Sequence, residues 1–303
     1  MYYSDVDRGR SVAKDPAVVR FENKYIMYYS IPPYGDGRTN DTWAIGVAES
    51  QDLSTWSKIG EILPEHDYEE NGICAPGAIV LRDQVHIFYQ TYGNGPKDSI
   101  CHASSTDGVL FDRNPTNPVF RPTGEWNCGR AIDADVIHFK DKLLLYFATR
   151  DPLMKQQMLG VAAAPIESTF SRKNWVQLCP GPILQPELWW EQDCIEAPAV
   201  CNRDGKLFMF YAGAYNNKPQ QIGCAMSKDG IRWTRLSEQP ILPNGQPGSW
   251  NSSESGHPFV FVDEDGQTYL FYQGNNDLGK TWYLSKAVVD WSNDVPSLTP
   301  DLG

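Results

Sequence analysis

The chain runs to 303 residues with 10 Trp, 15 Tyr and 12 Phe, and its 38 acidic against 26 basic side chains leave a formal charge of −12. With no Lys/Arg-rich run to offset that acidity, composition argues against a nucleic-acid backbone or an anionic membrane as partner and favours a neutral ligand. No stretch approaches eighteen apolar residues and residues 1–10 lack the apolar core of a signal peptide, so the expected compartment is the cytoplasm, or the periplasm or exterior if a signal has been removed.

A strand-turn-strand phrase opens at Asp15, where a β-rich run over Ala17 to Phe21 is followed by Glu22-Asn23-Lys24 and a second run to Ser30. It returns at Ala75-Pro76 with the turn Arg82-Asp83-Gln84, at Asp133 with Lys140-Asp141-Lys142, at Glu196 with Asp204-Gly205, and at His257 with Asp265-Gly266. These turn residues tolerate positive φ and close tight hairpins. The openings at Asp15, Pro76, Asp133, Glu196 and His257 stand 61, 57, 63 and 61 residues apart, the mark of a repeat architecture. A third strand follows in Ile45-Gly-Val-Ala, Ile100-Cys-His-Ala, Leu159-Gly-Val-Ala and Ile222-Gly-Cys-Ala, and a turn into a fourth follows at Asp52, Asp107 and Asp229.

Four antiparallel strands in each of five units predict an all-β fold, a five-bladed β-propeller occupying residues 1–303 as one domain. Residues 1–10 are candidates to complete the last blade. Seven cysteines without a C-x-x-C pair indicate neither a disulfide framework nor a zinc site. The inner strand of each blade should line the axis, bringing the five openings to one funnel, with Tyr34, Tyr92, Arg150, Tyr215 and Asn275 near its rim. Trp126, Trp189 and Trp250 each precede an opening residue by seven, a recurrence that points to packing within the repeat.

Asp15, Asp133 and Glu196 occupy matched openings and would meet only if the ring closes. Carboxylates crowded into one pocket repel, which splits them into an ionised and a protonated partner. That division is what cleavage of a glycosidic bond requires: an acid for the leaving oxygen and a carboxylate for water or the anomeric carbon.

These residues, in Lys14-Asp15-Pro16-Ala17, Ile132-Asp133-Ala134-Asp135 and Ile195-Glu196-Ala197-Pro198, resemble glycoside hydrolase family 43 over nearly the whole chain. The resemblance implies that Asp15 is the general base, Asp133 the modulator of the acid's pKa, and Glu196 the general acid, with inversion at the sugar. Asp135, two residues on, competes for the role of Asp133. Family members usually read Ile-Asp-Pro and Glu-Gly-Pro where this chain has Ile132-Asp133-Ala134 and Glu196-Ala197-Pro198, and Trp-Ala-Pro where it has Cys74-Ala75-Pro76. The resemblance implies no required cofactor, and it places His257 near the axis, where a calcium ion can be reached through its hydration water.

The expected activity is that of an inverting, exo-acting α-L-arabinofuranosidase or β-xylosidase on plant-derived oligosaccharides. Tyr34, Arg150, Trp190 and His257 are its candidate carbohydrate contacts, and the insertion Pro32 to Thr42 could wall off one end of the pocket. A retaining fructan or sucrose hydrolase is the alternative enzyme, although Lys14-Asp15-Pro16 and Glu196-Ala197 fit those signatures poorly. A non-catalytic carbohydrate-binding propeller has no need of three converging carboxylates.

Overall fold

The computed structural model describes residues 2–39, 41–292 and 294–301. Blade one is β1 (Lys14–Phe21), β2 (Lys24–Ile31), β3 (Ala44–Ser50) and β4 (Ser57–Ile62); blade two is β5 (Ile73–Leu81), β6 (Gln84–Thr91), β7 (Ile100–Ser105) and β8 (Asp112–Arg113). Blade three is β9 (Ile132–Phe139), β10 (Lys142–Arg150), β11 (Gln157–Pro165) and β12 (Val176–Gln177). Blade four is β13 (Ile195–Arg203), β14 (Lys206–Gly213), β15 (Gln221–Ser227) and β16 (Thr234–Arg235), and blade five is β17 (Glu254–Val262), β18 (Thr268–Asn275), β19 (Tyr283–Ser292) and β20 (Val295–Pro300). Each blade is one four-stranded antiparallel sheet in chain order, as the repeat predicts. The inner strands β1, β5, β9, β13 and β17 pack on one another in a closed ring of five.

Two-residue turns at Glu22-Asn23, Arg82-Asp83 and Asp204-Gly205 carry positive φ at both positions, the geometry that matches strand twist in tight hairpins. The third-to-fourth strand turns are held by a side chain: Asp52, Asp107 and Asp229 each accept two backbone N–H groups through one carboxylate oxygen. Gly108 shows why glycine follows the aspartate in blade two. Its φ is +75°, and a Cβ there would lie 2.4 Å from Ile26 Cδ1 in blade one, whose Tyr28 hydroxyl donates to the Gly108 carbonyl at 2.8 Å.

Between blades the apolar faces of both neighbours are buried, with Tyr28, Tyr29, Tyr89, Tyr146, Tyr211 and Tyr272 among the largest fully covered side chains. Blades two and four repeat one polar device at a constant offset of 122 residues. Glu69 and Glu191, both fully buried, accept the hydroxyls of Tyr89 and Tyr211 at 2.6 and 2.7 Å and the Nε–H groups of Arg113 and Arg235 at 3.0 and 2.8 Å. The device ties the two-residue outer strands β8 and β16 to the segments leading into β5 and β13.

Residues 2–10 do not form the outer strand of the last blade. β20 fills that place, pairing along β19 from Val295 opposite Ser292 to Pro300 opposite Ala287. The N-terminal segment instead clips onto the start of β19, through an antiparallel bridge from Tyr3 to Leu284 and a parallel one from Val12 to Trp282. The Tyr3 hydroxyl then meets that of Tyr29 in blade one at 2.8 Å, joining first and last blades.

Removing one end of the buried carboxylate device should be far more costly than removing its exposed end. Glu191→Ala leaves the Tyr211 hydroxyl without its carboxylate acceptor and the Arg235 guanidinium without its buried one, and is expected to cost about 3–5 kcal/mol in a denaturant titration. Glu187→Ala removes a half-exposed partner of the same arginine and is expected to cost at most about 1 kcal/mol.

Candidate active site

Every inner strand carries a bulge at the same place. The ladder skips between Lys14 and Ala17, Cys74 and Gly77, Ile132 and Asp135, Glu196 and Ala199, and Gly256 and Phe259. The first extra residue is left-handed in each: Asp15 (φ 53°), Ala75 (47°), Asp133 (52°), Ala197 (49°) and His257 (43°). Non-glycine residues occupy this region at a cost of roughly 1–2 kcal/mol each, so something must hold them there. For four of them it is a side chain of the preceding blade accepting the backbone N–H: Gln273 for Asp15, Ser30 for Ala75, Gln90 for Asp133 and Gln220 for His257, at 3.0, 2.8, 2.9 and 3.2 Å.

Glu196 therefore does not share a position with Asp15 and Asp133. It sits one residue earlier, matched with Lys14, Cys74, Ile132 and Gly256, while Ala197 takes the left-handed place. The same slip misassigns the tryptophans. Trp126, Trp190 and Trp250 are the true equivalents, seven residues before the left-handed residue of the bulge, and Trp189 falls outside the pattern.

The ring brings Asp15, Asp133 and Glu196 to a single funnel of about 190 Å3, together with Lys14, His257 and Asn216. Their charges are divided by their surroundings. Burial alone would raise the Asp15 carboxyl, but His257, with Nδ1 3.1 Å from Oδ1, and the Lys14 ammonium 4.0 Å away outweigh it and hold the group below its ordinary range. Asp133 is pushed up to about 7 by burial and by the negative charge of Glu196. Asp15 is thus an anion at neutral pH, while Asp133 exchanges its proton there.

Glu196 is gripped at both oxygens. Gln157 at the start of β11 donates through Nε2 to Oε2, and Gln220 donates through Nε2 to Oε1 at 2.6 Å. Lys14 Nζ donates to Asn216 Oδ1 at 2.9 Å, and the Asn216 amide donates to Glu254 at 3.2 Å. Glu254, fully buried behind the funnel, also accepts Gln273 Nε2 at 2.9 Å and the Asn217 N–H at 2.5 Å, and burial raises its carboxyl to about 7. These amides and Glu254 escaped the sequence reading because they lie outside the repeated openings. Lys14 stood in plain view beside Asp15.

Asp135 is not a second Asp133. The bulge breaks the two-residue alternation between them, and Asp135 turns toward blade four, where it accepts the Val200 N–H at 2.7 Å. Burial raises it to about 7 as well. Trp190, expected as a carbohydrate contact, is 1% exposed; it packs between blades three and four against Gly213 and Gly223, with Nε1 donating to the Glu238 carbonyl. Trp189, expected to pack, is 70% exposed. Tyr34 lies in a separate cleft with its ring between the Arg8 and Arg38 guanidinium groups, 3.8 and 3.4 Å from the centroid. The insertion folds back on itself through Asp41, which accepts the Tyr34 and Gly35 N–H groups at 2.6 Å. What reaches the funnel from this side is Trp43, whose ring lies 5.6 Å from that of Tyr92. Arg150 stands behind Gln157, donating from Nε to its Oε1 at 3.0 Å.

Among the described residues no three metal-ligating side chains converge on His257, whose Nδ1 is engaged by Asp15. The one such cluster, Asp5, Asp7 and Glu61, is already bound by the Lys58 ammonium at 2.8, 2.8 and 2.6 Å. A direct calcium ligand set at His257 does not fit these residues. The seven cysteines are all free thiols, and no helix among the described residues is long and apolar enough to cross a membrane.

Three buried carboxyls that keep their protons to about 7 make stability fall as pH rises. Unfolded, Asp133, Asp135 and Glu254 ionise near 4; folded, they hold protons up to about 7, so the folded state binds more protons across that window and its stability falls as pH rises from about 4 to about 7. Asp15 acts oppositely, but only as pH falls below about 4. Asp135→Asn should flatten the decline by about one proton, leaving the variant more stable than wild type at pH 8 and equal to it at pH 4, read from denaturant midpoints.

Comparison with known proteins bears on the family and the fold. The model for glycosyl hydrolases family 43 matches residues 9–294. A β-1,2-mannobiose phosphorylase from Thermoanaerobacter sp. is 28% identical over 130 residues, 38% of this chain and 41% of its own length. The xylosidase/arabinosidase 43A of Humicola insolens is 30% identical over 95 residues, 31% of this chain and 26% of its own length. The chain thus aligns with less than half of either curated relative. The crystal structure of an endo-1,4-β-xylanase from Bacteroides thetaiotaomicron superposes with a TM-score of 0.74 at 21% identity, covering 95% of this chain and 94% of the other. With the family match running from blade one to β19 of blade five and covering every residue of the funnel, the chain belongs to glycosyl hydrolases family 43.

Proposed function

We propose that the protein is an inverting, exo-acting glycoside hydrolase that cleaves terminal α-L-arabinofuranosides or β-xylosides of plant-derived oligosaccharides. The observation that carries this reading is the divided charge of the funnel: an anionic Asp15 and a proton-exchanging Asp133 beside Glu196. Asp15 takes a proton from water as that water attacks the anomeric carbon. The glycosidic C–O bond breaks, its electron pair stays with the leaving oxygen, and Glu196 gives that oxygen its proton. Asp133 responds to the charge of Glu196 and modulates its proton. His257 and Lys14 keep the base ionised, and neither needs to touch the sugar for this.

A funnel of about 190 Å3 has room for roughly six waters at about 30 Å3 each, close to the volume of one pentose, which supports exo action. The wall of Trp43 and Tyr92 offers aromatic faces to the C–H face of a sugar. The choice of arabinose or xylose rests on the activity named for the Humicola insolens relative.

The test is a panel of aryl glycosides of arabinofuranose, xylose, galactose and fructose. Wild type should cleave an arabinofuranoside or xyloside, and Asp15→Asn and Glu196→Gln should each lower kcat/KM about 10²–10⁴-fold. Variants that keep full activity on the substrate that wild type cleaves would remove both residues from the chemistry.

A further inference from the structure

The two amides that grip Glu196 cannot turn around. Gln157 Oε1 accepts from Arg150 Nε at 3.0 Å and lies 3.5 Å from Arg130 Nη1, so a flipped amide would set its NH2 group against guanidinium donors. Gln220 Oε1 accepts the His257 N–H at 3.2 Å while its Nε2 also donates to the Ala214 carbonyl at 2.9 Å, which fixes that amide in the same sense. Each amide therefore presents an N–H to one oxygen of Glu196. The two come from different blades, and both side chains are essentially without solvent exposure. A carboxyl on a free side chain rotates about χ3; one bonded at both oxygens to oriented amides has a single orientation.

We propose that Gln157 and Gln220 are positioning residues that hold the Glu196 carboxyl in line with the leaving oxygen, with Arg150 acting through Gln157. This rests on the acid role given to Glu196 above. Proton transfer in the transition state depends on donor–acceptor geometry, and a displacement on the order of 1 Å costs about 10²-fold. The cost falls only where a proton is needed. A 2,4-dinitrophenolate departs without protonation, whereas an alkoxide does not. This also changes the part of Arg150: it braces the acid from behind rather than contacting carbohydrate.

The experiment compares 2,4-dinitrophenyl and methyl glycosides of whichever sugar the panel identifies, for wild type, Gln157→Leu, Arg150→Met and Glu196→Gln. Gln157→Leu should lose about 10–100-fold in kcat on the methyl glycoside with KM little changed, and within about threefold nothing on the dinitrophenyl glycoside. Arg150→Met should show the same selectivity in smaller measure, and it carries the test if Gln157→Leu does not fold. Glu196→Gln should show the largest selectivity of all. If Glu196→Gln is selective but Gln157→Leu and Arg150→Met lose equally on both substrates, or on neither, the positioning role is overturned and the acid role stands. If Glu196→Gln is itself unselective, the acid role is overturned and the positioning role with it.

Discussion

The left-handed residue at the head of each inner strand is the constraint on which this molecule turns. It is unfavourable by itself, and it survives because a side chain of the preceding blade accepts its N–H: Gln273, Ser30, Gln90 and Gln220 do this for blades one, two, three and five. The same bond therefore fixes a bulge and fastens one blade to the next. A bulge re-aims side chains that a regular strand would alternate between faces, and here it places Asp15, Asp133 and His257 around the axis. Fold closure and assembly of the site are one event, since residues 181 apart in sequence face one funnel only when the ring is shut.

The site is electrostatically expensive. Asp15, Asp133, Glu196 and Glu254 are buried within one network whose nearby cations are Lys14 and Arg130, with the His257 imidazole against Asp15. Part of the repulsion is relieved by proton uptake at Asp133 and Glu254, part by pairing Asp15 with Lys14 and His257, and part by the amide donors bonded to both oxygens of Glu196. Lys14 shows the balance in reverse: burial would lower its pKa, yet the carboxylates of Asp15, Glu254 and Glu196 hold it above its ordinary value. Where the blades need only stability, as at Glu69 and Glu191, carboxylates are instead matched one-to-one with arginine and tyrosine.

Much of this was legible in the chain. Period-two runs and positive-φ turn residues gave five hairpins in the right places, and the carboxylates at their heads marked the funnel. The error was one of register. Aligning Glu196 with Asp133 by charge hid the fact that Ala197 takes the bulge, and it promoted Trp189 over Trp190. The correct frame was present in the sequence: Glu65, Glu69, Tyr89 and Arg113 reappear 122 residues later as Glu187, Glu191, Tyr211 and Arg235, and the same offset carries Cys74 to Glu196 and Tyr68 to Trp190. The glutamines were not legible, because Gln157, Gln220 and Gln273 matter through partners 39, 24 and 258 residues away that no local pattern announces. Arg150 and Tyr34 were placed near the rim by strand order alone, which says where a strand ends but not which way its last side chain turns.

With an anionic Asp15 activating water and Glu196 protonating the leaving oxygen, no bond forms between enzyme and sugar. The configuration of the first-formed product tests it most directly, by proton NMR within the first turnovers and before mutarotation. On a β-xyloside, α-xylose should appear first and the β anomer only later. First release of β-xylose would mean retention, and would make Asp15 a nucleophile rather than a base.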